Sequence, residues 1–308
     1  MSTLSEQSFD FISGETLMAQ CKAHDMRICE VMQARESQLF HQTQQVVREQ
    51  MRQNLIVMRE GAQRGIETIP ISVGGLVGGE AKKLYEHAPF ALCGTLTATA
   101  CAMAMAVVEV NASMGRIVAA PTAGASGVLP GVLLAVQKER DSDDEALIDA
   151  LFTASAVGMI IQRNASVSGA QGGCQAEVGT ASAMAAAALV ELLGGSPEAA
   201  LHAAATALQN LMGLVCDPVA GLVEVPCVKR NAIGANNALL CADMALCGIR
   251  SFIPFDETVE AMYQVGCSLP PSLRESAQGG IAATPTAKAM EVRLFAPEEM
   301  EIPEDLGR

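Results

Sequence analysis

Two stretches of this chain, Ala88–Val108 and Ile117–Gln137, carry no charge, and a third, Thr180–Leu193, is dominated by alanine. Runs of this kind leave few options. Alanine has the highest helix propensity, and small side chains let helix axes approach closely. A β-rich chain would need more threonine and aromatic residues in regular alternation. Here half of the residues are hydrophobic but only 3 % are aromatic, with no tryptophan. The expected fold class is therefore all-α: a compact bundle of many closely packed, alanine-rich helices, with glycine-rich loops forming the site. At 308 residues the chain suits one domain over 1–308. A membrane span needs about 20 predominantly apolar residues. The first window is diluted by Thr, Ala and Gly, and the second is broken by Pro121, Gly124, Gly127, Pro130 and Gly131. Both read as interior segments, with no membrane partner.

The formal charge of −14 and a pI near 4.7 exclude a basic stripe, and with it nucleic acid as a partner. The N-terminus lacks a basic n-region and an apolar h-region, so no secretory signal is read. Ten cysteines without such a signal indicate a reducing, cytoplasmic setting and not a disulfide framework.

Along the chain, residues 1–12 read as a loosely held leader, and the acidic end, 297–308, as frayed. Ser13 is placed to cap a helix. The stripes Leu17, Cys21, Ile28, Met32, Leu39 and Val47, Met51, Leu55, Met58 predict one long helix to about Arg64, or two joined near His41. Gly74–Gly79 resembles a phosphate or carboxylate cradle at a helix start, without the spacing of a nucleotide loop. Pro121–Gly131 holds two hydroxyls, Thr122 and Ser126, among small residues ahead of a helix. It reads as an anion-receiving loop or as an ordinary turn. Further helices are expected over Ala146–Gln162, from Ser196-Pro197-Glu198, over Ala232–Cys247, over Thr258–Gly266, and from Pro270 to Gly279.

Cys174, Cys216 and Cys227 sit among residues that shape backbone: Gly172 and Gly173 before the first, Pro218 after the second, Pro226 directly before the third. Such surroundings aim a thiolate at a metal from a loop. Lys229 and Arg230 add cations beside it. Small buried hydrophobes are the other reading, and spacing alone leaves it open, since no C-x-x-C occurs.

The stretches PTAGASGVLPG, SVSGAQGGCQAEVGTASAMAAAA and CDPVAGLVEVPCVKRNAIGANNA make the chain resemble the α subunit of iron-sulfur-dependent L-serine dehydratase. The resemblance implies that Cys174, Cys216 and Cys227 hold a 4Fe-4S cluster with one iron free of cysteine. It also implies a β part, fused in some members and separate in others, that carries an SSSHT-type motif. That motif is absent here, so the sequence reads as one subunit of a pair, a heterodimer or larger, or as an incomplete copy. Some fused members end in a cysteine that caps the open iron. This chain ends in EDLGR with Cys267 as its last cysteine, which puts that device in doubt.

On this resemblance the expected reaction is deamination of L-serine to pyruvate and ammonia, with the open iron as Lewis acid for the leaving hydroxyl. Thr122, Gly124, Ser126, Asn164, Ser168 and Arg230 are the candidate substrate-binding residues, and Glu177 is the candidate base. Competing readings are an L-cysteine desulfidase of similar chemistry, a pyridoxal phosphate lyase using Lys229, and a non-catalytic helical subunit stabilised by zinc.

Overall fold

The structure, a computed structural model, describes residues 8–295. Thirteen α-helices account for most of them: α1 (Gly14–His24), α2 (Ile28–Leu39), α3 (Gln44–Glu67), α4 (Glu80–His87), α5 (Thr95–Ala112), α6 (Val128–Arg140), α7 (Asp144–Asn164), the single turn α8 (Gly169–Gly172), α9 (Thr180–Leu192), α10 (Pro197–Leu211), α11 (Cys227–Leu246), α12 (Phe255–Ser268) and α13 (Pro285–Phe295). The only strand-like pairing among the described residues is one parallel bridge, Cys216 with Arg274. The fold is all-α, as expected.

Two helices form the centre. In α9, Thr180 to Glu191 are buried without exception, because alanine on every face lets α6, α7, α10 and α11 close around it. The other, α5, is enclosed by α3, α4, α6 and α11. Glycine permits that approach. A Cβ on Gly131 would lie 2.6 Å from the Ala104 nitrogen, and one on Gly65 2.5 Å from the Ala106 oxygen. Among the described residues α5 is also the one helix long and apolar enough to cross a membrane, and 72 % of that window is buried in the fold.

At the N-terminus three helices replace the one or two expected. Ser13 caps α1, as read, but Asp25 and His41 take left-handed φ of 52° and 53° and break the stripe twice. Residues 8–12 are held by the fold. Phe11 is buried, Asp10 pairs with Arg35 at 3.1 Å, and the Ile12 carbonyl accepts from Asn164. Residues 1–7 and the acidic tail lie outside the described residues. On α3, Arg48 reaches Asp149 and Glu145 (2.6 Å) of α7 and Gln33 of α2 (2.9 Å), joining three helices.

Helix bounds moved where backbone groups found distant partners. The stretch from Pro270 to Gly279 is not a helix. Cys216 bonds the backbone of Leu273 and Glu275, and Glu275 and Ala277 are left-handed. Only a short 3-10 turn remains there, Pro271–Leu273, with another just beyond it, Gly280–Ala283. α11 starts at Cys227, five residues ahead of the expected Ala232.

Candidate functional site

The three cysteines come from three kinds of backbone. Cys174 follows Gly173, whose φ is +77°, and immediately precedes a π-helical turn, Gln175–Gly179, that runs into α9. Such turns cluster at functional sites because they re-aim side chains inside an otherwise regular helix. Within residues 172–180 only Glu177 is not fully buried. Gln175 fixes the turn: its amide donates to the Met262 carbonyl (3.0 Å) and accepts from the Gly213 N–H (2.8 Å). Cys216 lies in extended chain after α10, with its N–H on the Leu273 carbonyl (2.9 Å) and its carbonyl on the Glu275 N–H (2.7 Å). Cys227 opens α11 directly behind Pro226.

The thiols share one electrostatic neighbourhood. Burial pushes Cys174 up to about 12, opposed by Arg230 and reinforced by Glu177. Burial likewise lifts Cys227 to about 12, with Cys174 and Glu177 adding to it. Cys216 is raised by burial, then by Glu177, Cys174, Glu275 and Cys227. Burial and the neighbouring carboxylate thus favour thiol over thiolate at all three, with Arg230 the opposing cation. Among the described residues, no three His, Cys, Asp or Glu side chains converge as ligands of a single metal ion.

Glu177 stands between the thiols and the Thr122 loop. Its Oε1 accepts the Thr122 hydroxyl at 2.7 Å, and its Oε2 lies 3.8 Å from the Cys216 sulfur. Burial raises its pKa, the Thr122 bond lowers it, and the charge of Glu275 raises it again. Glycine makes room: a Cβ on Gly169 would sit 2.6 Å from Glu177 Oε2 and 2.9 Å from the Cys216 sulfur, and one on Gly124 3.2 Å from Oε1.

The fold thus brings together Thr122, Gly124, Glu177, Arg230 and the three cysteines. Arg230, expected as a substrate donor, is engaged by the protein: it donates to the Val215 carbonyl (2.8 Å), pairs with buried Asp217 (2.8 Å) and stabilises Cys174. Ser126 is fully buried, its hydroxyl closing its own turn on the Ala123 carbonyl (2.7 Å). Asn164 does not join the group, because its amide donates to Ile12 (2.7 Å) and Ile160 (2.9 Å) carbonyls and fastens the N-terminal segment. Ser168 leads into α8, where its N–H bonds Ser166. Lys229 points elsewhere, to Glu80 at 2.9 Å.

Sequence reasoning missed several residues that build the site. Asn231, fully buried, accepts from the Gly127 N–H (3.1 Å) and donates to Gly124 (2.7 Å) and Cys227 (3.0 Å) carbonyls, so it couples the Thr122 loop to a cysteine. The glycine cradle at 74–79 does hold carboxylates, but the protein's own. Glu224, three residues before Cys227, accepts from the Ser72 hydroxyl (2.6 Å), Gly74 N–H (2.7 Å) and Leu76 N–H (3.0 Å). Glu109 accepts from the N–H groups of Gly79, Glu80 and Ala81 at the start of α4. Glu109 is the only charge between His87 and Arg116, a signal that was open to reading.

Comparison with known proteins addresses the same residues. The family described as Serine dehydratase alpha chain matches residues 23–282. A "Probable L-serine dehydratase, alpha chain" of Bacillus subtilis is 50 % identical over 287 residues, which cover 92 % of this chain and 95 % of that protein. The "L-serine dehydratase, alpha chain" of Peptoniphilus asaccharolyticus is 43 % identical over 87 % of this chain and 92 % of its own. The "L-serine dehydratase 2" of Escherichia coli is 38 % identical over 90 % of this chain but only 62 % of its own length. Since the match runs through Thr122 and all three cysteine segments, the chain belongs to the serine dehydratase alpha chain family.

Proposed function

We propose that this chain is the catalytic α subunit of a cytoplasmic L-serine dehydratase, a lyase that eliminates water from L-serine to give aminoacrylate, whose imine tautomer takes water back on hydrolysis to pyruvate and ammonia. The names of its relatives support the activity, and the observation that carries it here is the meeting of Cys174, Cys216 and Cys227 around Glu177. The donor set fits a 4Fe-4S cluster. Two buried thiols, Cys174 and Cys216, and the partly buried Cys227 lie within electrostatic reach of one another, with Arg230 near to offset thiolate charge. When bound through three cysteines, such a cluster supplies a Lewis-acidic iron to a hydroxyl leaving group.

The chain's own residues do the rest. The backbone of the Thr122 loop receives the substrate carboxylate while the Thr122 hydroxyl orients Glu177, with the Asn231 bonds holding that loop in register with Cys227. Glu177, with its pKa raised by burial, takes the Cα proton. Arg230, fixed by Asp217, keeps positive charge beside Cys174. A β chain completes the enzyme. The "alpha chain" names support this, as does the greater length of the Escherichia coli relative.

The test is oxygen-free purification with a co-expressed β chain, followed by iron, sulfide and pyruvate assays. Cys174→Ala, Cys216→Ala and Cys227→Ala are each expected to lose iron, visible absorption and serine turnover. Full iron in any one variant removes that cysteine from the ligand set, and zinc without sulfide in the wild type overturns the reading. Faster pyruvate release from L-cysteine than from L-serine would reassign the substrate.

A further inference from the structure

An α-amino acid brings both a carboxylate and an ammonium, and the residues above supply hydrogen-bond donors for the first only. The missing acceptor lies on a segment that sequence reasoning took for a helix. Beyond Pro271–Leu273 the chain runs as a strap beside Cys216, pinned at one end by the Cys216 bonds to Leu273 and Glu275. At the other end the Ile281 N–H donates to Asp217 Oδ2 at 2.7 Å, and Asp217 in turn pairs with Arg230. Both pins fall on the consecutive residues Cys216 and Asp217, so the strap has little freedom to leave the site. Between them Glu275 and Ala277 hold φ of 61° and 54°. Residues with a Cβ rarely adopt that region, and it persists where the surroundings over-determine it.

Glu275 is solvent-exposed, as a group that meets an incoming ligand must be. Its N–H donates to the Cys216 carbonyl at 2.7 Å, which sets it beside the cysteine whose sulfur lies 3.8 Å from Glu177. Glu177 is reserved for the Cα proton, which leaves Glu275 as the exposed carboxylate beside Cys216. We propose that Glu275 is a specificity-determining residue that receives the ammonium of the amino-acid substrate. This rests on the serine dehydratase reading and adds the group that distinguishes an amino acid from a hydroxy acid.

The experiment uses the loaded enzyme with its β chain, wild type against Glu275→Gln. Two ligands are compared: L-serine, and 3-hydroxypropionate, which keeps the carboxylate and hydroxyl but lacks the amine. Loss of one charge-assisted hydrogen bond is expected to raise KM for L-serine about ten- to a hundredfold with kcat within about twofold. Inhibition by 3-hydroxypropionate is expected to stay unchanged or strengthen, with iron content and visible spectrum as in the wild type. Glu275→Asp should recover part of the KM. Parallel weakening of both ligands, no change in either, or loss of iron in Glu275→Gln would overturn the proposal. A loaded wild type that fails to turn over L-serine overturns the activity itself, and the ammonium assignment with it. An active wild type with an indifferent Glu275→Gln overturns only the role of Glu275.

Discussion

At the scale of single residues, the chain places carboxylates where water does not reach and satisfies them with backbone. Glu109 is fully buried, and burial raises its pKa against the opposing pull of three N–H groups. Those donors belong to the first turn of α4, which has no side-chain cap. Glu109 is thus a helix cap supplied from another helix. Glu109→Ala leaves those donors without a partner and is expected to cost about 2–4 kcal/mol in chemical denaturation of the cluster-free chain. Glu109→Gln, which keeps one acceptor oxygen, should cost about half of that. A loss below about 0.5 kcal/mol for the alanine variant would mean that water replaces the carboxylate. The lone charge in an apolar run marked this residue in the sequence. Its partners 28 to 30 positions away were not legible, because nothing local encodes them.

At the scale of elements, what could be read was whatever is encoded locally. The alanine helices α5 and α9, the Ser13 cap and the Ser196-Pro197 start of α10 follow from propensity and capping alone. The strap at 274–280 does not, because its conformation is imposed by Cys216 and Asp217 from elsewhere in the chain. The same distinction separates the cysteines, visible as a motif, from Asn231, which matters only through three bonds formed after folding. Contact between α5 and α6 gives a direct test. Gly131→Ala puts a methyl against Ala104 and Ala100 backbone, which cannot rotate aside. Thermal or chemical unfolding should show a loss of about 1–3 kcal/mol, although alanine is the better helix former by about 1 kcal/mol. A gain in stability would mean that the two helices slide apart freely.

At the scale of the whole molecule, one ion-pair network joins helices without using any residue of the site. Arg48, with the partly exposed Asp149 and Glu145 and the buried Gln33, ties α2 and α3 to α7, whereas Cys174 follows α8, Cys216 lies in the chain beyond α10 and Cys227 opens α11. Arg48→Met should therefore cost about 1–2 kcal/mol, shrinking in high salt as surface ion pairs are screened, and leave iron content and KM for L-serine unchanged. An altered KM would indicate that the two regions communicate. The interior has its own logic. When a protein accepts a bulkier residue, it usually does so because some neighbour can be trimmed to make way. Where a glycine meets alanine backbone, as Gly131 meets Ala100 and Ala104 and Gly65 meets Ala106 along α5, there is nothing left to trim. A misstep at either contact should therefore find no second-site suppressor on the facing residue.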